Sequence, residues 1–546
     1  MVTFLFLAPF SQELEPPQNP GRLTPAEDFM TSSPIVLDTD GSKMMEASLS
    51  QTVSRVLYSD GTPSEWGNKQ NWQLCDGNHK GLPSAEGNLL PGSRRSVCLD
   101  ARSSDVVLTR LKDIYADTHA RQALSLGYPV SQAFDYAALA PFLSVHLNNL
   151  GDPYAAESTL LNTRALEQEV LAYFGKLWRS TDRKPLVPES FWGYLLGMGA
   201  TEGNMYALWS AREYLRTQDF TEGAKSSVRE EPVVFYSEAS HYSMAKCASA
   251  LGIPTFEDLG NGLYPGQCPV TSDGRWPHGV PTDNGAVDPE RLAELVDFFA
   301  DKGHPPIIVL NAGTTFAGSF DDSPAVWQAL CPVLERHSFR TGTDGANRQD
   351  FWIHVDGALG AAYLPYLEMA HTQKLTSERG PRFDFSLPYI CSIVTSSHKW
   401  YGAPFASGVY MSREKYRMRP ETHPEYVSTP DTTLCGSRNG LSALILWYAL
   451  ATISPDEQAA TAARCTELAA YAHHQLQSIS EWHPSFQVHR APPSLAVRFT
   501  RPRPDIFDRF HLSGEGKLAH IVVMPHVTRS AIDLLVDALR STDALA

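Results

Sequence analysis

The chain has 546 residues and 42% hydrophobic content, enough to build more than one core without disulfide or metal staples. Its 61 acidic against 45 basic residues leave a formal charge of −16 with no dense basic run, which argues against nucleic acid as a partner. The eight cysteines form no C-x-x-C pair and no zinc-finger spacing, so neither a metal site nor a disulfide framework is expected, and a reducing, cytoplasmic setting fits.

In chain order, the run 2–10 is apolar but has no basic n-region, contains Pro9 and leads into an acidic, proline-rich stretch, which disfavours a signal peptide. No segment approaches the roughly 18 to 20 uninterrupted apolar residues of a membrane span, so a soluble chain is expected. Residues 11–105 are rich in Pro, Gly, Ser and Asn and read as a loosely held extension. Order is expected from near Val106, where Val107, Leu108, Leu111, Ile114 and Tyr115 recur at helical spacing. Val170, Leu171, Phe174 and Leu177 mark a second amphipathic helix.

Short apolar runs then alternate with helical patterns, at 193–196, 233–236, 307–310, 351–355, 392–395 and 408–411. That alternation predicts an α/β fold, a mixed, mostly parallel sheet with helices on both faces, whose ligands bind where strand ends meet helix starts. A smaller α+β unit is expected after 426, with helices over 441–453 and 459–478, strands over 495–499 and 520–524, and a closing helix over 530–539. The domain reading is therefore an extension at 1–105, a large domain at 106–425 and a small C-terminal domain at 426–546.

The residues that could carry chemistry sit at or just after those strand ends. Lys399, in Ser396-Ser397-His398-Lys399, has an amine that can condense with an aldehyde, and pyridoxal phosphate is the aldehyde cofactor proteins hold in this way. Gly199, Ala200 and Thr201 lie in a glycine-rich turn before a helix, where small residues and unpaired N–H groups make a phosphate cradle and Thr201 can cap. His241, after the run 233–236, could stack on a flat heteroaromatic ring. Asp356 ends another run, where a carboxylate can keep a pyridine nitrogen protonated, and Gly357 and Ala358 leave room for the ring. The Thr314 and Thr315 hydroxyls could reach the ring's phenolic oxygen or simply close a turn. A capping loop, a surface histidine or a strand-end aspartate explains any one of these alone; their arrival together and in order does not come from chance as easily.

The set resembles the group II pyridoxal phosphate-dependent amino-acid decarboxylases, in the branch of histidine and serine decarboxylases. The matching stretches include Leu126-Gly127-Tyr128-Pro129, Thr201-Glu202-Gly203-Asn204, His354-Val355-Asp356-Gly357-Ala358, Ser396-Ser397-His398-Lys399 and Gly436-Ser437-Arg438-Asn439-Gly440. The resemblance implies a type I transferase fold, decarboxylation of an L-amino acid to a primary amine, and a homodimer with shared active sites. It implies Lys399 as the cofactor's amine partner, Asp356 at the pyridine nitrogen and His241 on the ring. Gly199, Ala200, Thr201, Ser396 and His398 would surround the phosphate. Tyr426 would donate the proton to Cα, and it and the Gly436 turn would act on the neighbour's site. An aldehyde synthase or transaminase on the same scaffold, or a non-catalytic interaction homologue, are the alternatives; the presence of Lys399, Asp356 and His241 together speaks against the last. Three departures stand out: Met198-Gly199-Ala200 for the family's usual Asn-Gly-Gly or Asn-Cys-Gly, Ser397 for glycine, and Leu441 for histidine.

Overall fold

The computed structural model describes residues 104–155, 160–216, 230–340, 349–418, 431–541 and 543–545, all within one compact unit. The expected extension lies outside these residues apart from positions 104 and 105, and Tyr426 lies outside them too.

Six strands form the central sheet: β1 (Phe191–Leu196), β2 (Val233–Phe235), β5 (Pro306–Asn311), β6 (Trp352–Asp356), β7 (Ser392–Ser396) and β8 (Gly408–Arg413), in the order β1-β8-β7-β6-β5-β2. Strands β2, β5, β6 and β7 are parallel neighbours, while β8 runs antiparallel to both β7 and β1. Connection length explains the mixture. Parallel pairing needs a long crossover, and helices fill those crossovers, whereas β7 returns to β8 through the short link 397–407 that carries His398 and Lys399. Every residue of β1, β5, β6, β7 and β8 is buried, as a sheet covered on both faces requires, which is why these strands read as continuous apolar runs. A two-stranded ribbon, β3 (Thr282–Asp283) and β4 (Ala286–Val287), lies between β2 and β5 in the chain.

Among the described residues the helices begin with α1 (Ser104–Gln122), which buries none of its residues, and α2 (Arg164–Leu177). The crossovers carry α3 (Ala200–Arg216), α4 (Ser243–Leu251), α5 (Phe256–Leu263), α6 (Pro289–Ala300), α7 (Ser323–Arg336) and α8 (Gly360–Thr372). Side-chain caps start several of them. Asp288 accepts from Glu290 and Arg291 N–H ahead of α6, and Asp322 accepts from Ala325 N–H ahead of α7, each followed by an early proline. The start of α3 is different. The helix begins at Ala200, so Thr201 sits inside the first turn and not at the cap, and the Ala200 N–H donates to Ser396 Oγ at the end of β7, 2.9 Å away.

The C-terminal part of the chain carries α9 (Gly440–Thr452), α10 (Pro455–Gln477), a four-stranded antiparallel sheet, α11 (Pro504–Arg509) and α12 (Arg529–Leu539). Its sheet has the order β11 (Ser513–Glu515), β12 (Leu518–Val522), β10 (Ala496–Thr500), β9 (Val488–His489). Ser454 and Glu457 form a reciprocal capping box at the start of α10. Among the described residues, no helix is long and apolar enough to cross a membrane.

Candidate active site

The C-terminal ends of β5, β6 and β7 lie side by side, with Asn311 paired to Asp356 and Asp356 to Val394. A cavity of about 250 Å³ opens there. It is walled by the first turn of α3, the loop after β7, and Leu495, Ala496 and Val522 from the C-terminal part of the chain. Ten of the residues read from the sequence as able to carry chemistry line it: Ala200, Thr201, His241, Thr314, Thr315, Asp356, Ala358, Ser396, His398 and Lys399. Gly199 stands behind the wall, against His398 and Ser396. Gly436 is exposed and does not line the cavity. Tyr426 is outside the described residues.

Each group is held by its strand end. Asp356 Oδ1 accepts from the Ala358 N–H at 3.1 Å, and Oδ2 from Asn204 Nδ2 at 2.8 Å. His241 Nδ1 lies 2.7 Å from Ser243 Oγ and accepts from the Ser243 N–H, which leaves Nε2 to carry the ring proton. Thr314 closes a tight turn, its Oγ accepting from the Ser319 N–H at 3.0 Å, so its hydroxyl proton remains a donor. Desolvation pushes the Lys399 ammonium below the usual lysine range, with Asp356 opposing, and a neutral amine is the form that attacks an aldehyde. Burial also lowers His241 and His398, so both imidazoles are favoured neutral at physiological pH.

These residues fit pyridoxal phosphate. Gly199 takes φ +71°, and a Cβ there would come within 2.6 Å of His398 Cε1, so backbone and imidazole approach as closely as only glycine allows. The loop N–H groups of Gly197 and Met198 are taken by the buried Glu202 carboxylate at 2.8 Å each, which fixes the turn at the mouth of α3. This turn and Ser396 would hold the phosphate, His241 and Ala358 the ring and Asp356 its nitrogen, and Lys399 would take the aldehyde. When bound, the cofactor's ring supplies a sink for the electron pair left at Cα as carbon dioxide departs.

Sequence reasoning missed several residues of the site. Asn204 and His354 stood inside quoted motifs with no role assigned, and Ser392 was only the start of a strand. The signal for His354 was available: it lies two positions before Asp356, hence on the same face of β6. Phe320, Tyr363, Leu495 and Val522 line the cavity from distant parts of the chain, and no local pattern marks them.

Fold and cavity together define a type I pyridoxal phosphate enzyme. The profile of the pyridoxal-dependent decarboxylase conserved domain matches residues 130–491, and the chain belongs to that family. It is 30% identical over 437 residues to the histidine decarboxylase of Vibrio campbellii, covering 80% of this chain and 94% of that one. It is also 30% identical over 433 residues to that of Solanum lycopersicum, covering 79% and 86%. The crystal structure of L-methionine decarboxylase from Streptomyces sp. 590 superposes with a TM-score of 0.76 at 36% identity, over 83% of this chain and 98% of that one. The chain is a pyridoxal phosphate-dependent amino-acid decarboxylase, a carboxy-lyase.

Proposed function

We propose that the substrate is an apolar L-amino acid of methionine's class, decarboxylated to its primary amine by a cytoplasmic homodimer. The composition of the cavity wall carries this reading. Among the described lining residues the only ionisable groups besides the Tyr363 phenol are His241, Asp356, His398 and Lys399, all placed where the cofactor would be. The remaining wall includes Pro129, Phe320, Leu359, Tyr363, Leu495 and Val522. A substrate side chain carrying a charge would be buried there without a partner, at a cost of several kcal/mol. The higher identity to the methionine decarboxylase than to the two histidine decarboxylases supports the same choice.

In this reading Lys399 holds the cofactor, Asp356 faces its ring nitrogen, His241 covers the ring and Thr314 donates to its phenolic oxygen. Gly199, Ala200, Thr201, Ser396 and His398 surround the phosphate. Tyr426 and the exposed turn at Gly436 serve the partner's site. The test is the purified enzyme with pyridoxal phosphate and a panel of methionine, histidine, serine, glutamate and phenylalanine, with amine and carbon dioxide both measured. Methionine should show a kcat/KM at least about tenfold above the others, the scale of a few well-filled apolar contacts. Histidine or glutamate as the best substrate would overturn the assignment.

A further inference from the structure

Behind Asp356 runs a line of buried polar groups that the reaction as described does not use. Trp352 Nε1 lies 3.1 Å from Ser392 Oγ, Ser392 Oγ 2.8 Å from His354 Nδ1, and His354 Nε2 2.9 Å from Asn204 Oδ1. Asn204 Nδ2 then reaches Asp356 Oδ2 at 2.8 Å. Trp352, His354 and Ser392 are fully buried and Asn204 is 1% exposed. The geometry follows from the fold. Trp352, His354 and Asp356 alternate along one face of β6, His354 is the register partner of Ser392 on β7, and α3 delivers Asn204 onto that face.

The Asp356 end sets the proton directions along this line. A carboxylate that faces an amide nitrogen at Asp356 can only accept, so the Asn204 amide must turn Nδ2 toward Asp356 and Oδ1 toward His354. His354 must then carry its proton on Nε2 and accept at Nδ1 from the Ser392 hydroxyl. At the far end the Trp352 indole can only donate, so Ser392 accepts there and has its one proton free for His354. The Asp356 end sets the neutral Nε2–H tautomer, and the Trp352 end is compatible with it. Burial agrees, holding His354 down at about 4 and so neutral at physiological pH, with Asp356 the charged group that opposes the shift.

We propose that His354 is a positioning residue which, through Asn204, locks the Asp356 carboxylate in the orientation that engages the cofactor's ring nitrogen. With Oδ2 tied to Asn204 and Oδ1 to the Ala358 N–H, each carboxylate oxygen has a partner that resists its rotation. Without the His354 donor, Asn204 Oδ1 is left buried and unpaired, and the amide loses the second anchor that holds it square to the carboxylate.

The test compares His354→Phe, which keeps a ring of similar size without nitrogens, with His354→Gln, whose amide nitrogen can stand in for Nε2. Apo-enzyme is reconstituted with pyridoxal phosphate, and cofactor dissociation constant, pH titration of the bound cofactor's absorbance, kcat and KM are measured. His354→Phe should weaken cofactor binding on the order of tenfold to a hundredfold, as loss of an outer partner does at other prosthetic sites. It should also shift the midpoint of the absorbance titration and lower kcat, with KM within about twofold of wild type. His354→Gln should recover the titration midpoint and come within about threefold of wild type in affinity. A wild-type titration and affinity in His354→Phe, or a His354→Gln enzyme as impaired as His354→Phe, overturns the proposal. Should His354→Phe fail to fold, Asn204→Ala takes its place with the same expectation and the same overturning result.

Discussion

Gly199 concentrates two demands on one residue, a left-handed backbone at φ +71° and an approach to His398 closer than a Cβ tolerates. Backbone strain of this kind costs about 1–3 kcal/mol, and the clash must also displace an imidazole of the cavity wall. Gly199→Ala should therefore weaken cofactor binding by about tenfold or more while the chain still folds, which reconstitution of apo-enzyme measures directly. His354 gives a pH signature of its own. Its folded value near 4 lies below the ordinary 6.5, so the unfolded chain takes up a proton between these values that the folded chain refuses. Stability is then lost as pH falls from about 6.5 toward about 4, by about 3 kcal/mol, and levels off below. Asp321, fully buried and raised to about 6, works in the opposite sense over much of that range, so the His354 contribution is read as a difference between proteins. The advantage in denaturation midpoint of wild type over His354→Gln should shrink as pH drops through the window; a constant difference would show that His354 titrates normally.

At the scale of elements, a buried ion pair joins Arg438 to Glu167. It ties the segment before α9 to α2, while Glu167 also accepts from Leu195 N–H of β1 and from Asn149 Nδ2, and Arg438 donates to Gly151 O. Arg438→Met should cost about 3–5 kcal/mol in denaturant unfolding, because a charge is left buried and unpaired, and adding Glu167→Gln should return much of it. Equal losses in the single and double variants would show that packing and not charge is at stake. The elements themselves were largely legible in the sequence. All six strands of the central sheet announced themselves because both faces are covered and their apolar runs are continuous. The short strands β3, β4, β9 and β11 were not read, since two or three residues show no period. Thr201 was read as a cap because its type suits one, yet the helix starts one residue earlier and takes its partner, Ser396, from a strand almost two hundred positions away. The same limit hid Asn204, His354 and Ser392: each is unremarkable in its own segment, and only the packing of α3 on β6 and β7 joins them.

At the scale of the molecule, several apolar side chains among the described residues are exposed. Leu160 is 95% exposed, Leu143 is 76% exposed, and Leu161 and the Val106, Leu111 and Ile114 positions of α1 also face outward. Leu143 borders a recess shared with Ser437, Arg438, Asn439 and Leu441, next to the exposed turn at Gly436. Exposed apolar surface of this extent is what a second copy would cover. The chain should therefore sediment at twice its 60.2 kDa mass, and Leu143→Asp combined with Leu161→Asp should shift it toward the monomer. A dimer alone does not show that the sites are shared, and mixing of subunits separates the two cases. Lys399→Ala chains lack the amine, and Tyr426→Phe chains lack the phenol assigned to the partner's site, so each homodimer should be inactive. In a heterodimer one site combines an intact Lys399 from one chain with an intact Tyr426 from the other. Random reassociation makes half the dimers mixed, each with one working site of two, so activity should return to about a quarter of wild type. Recovery far below that in a preparation shown to be dimeric would place Tyr426 in the cavity of its own chain, and a fully active monomer would remove the partner from the mechanism altogether.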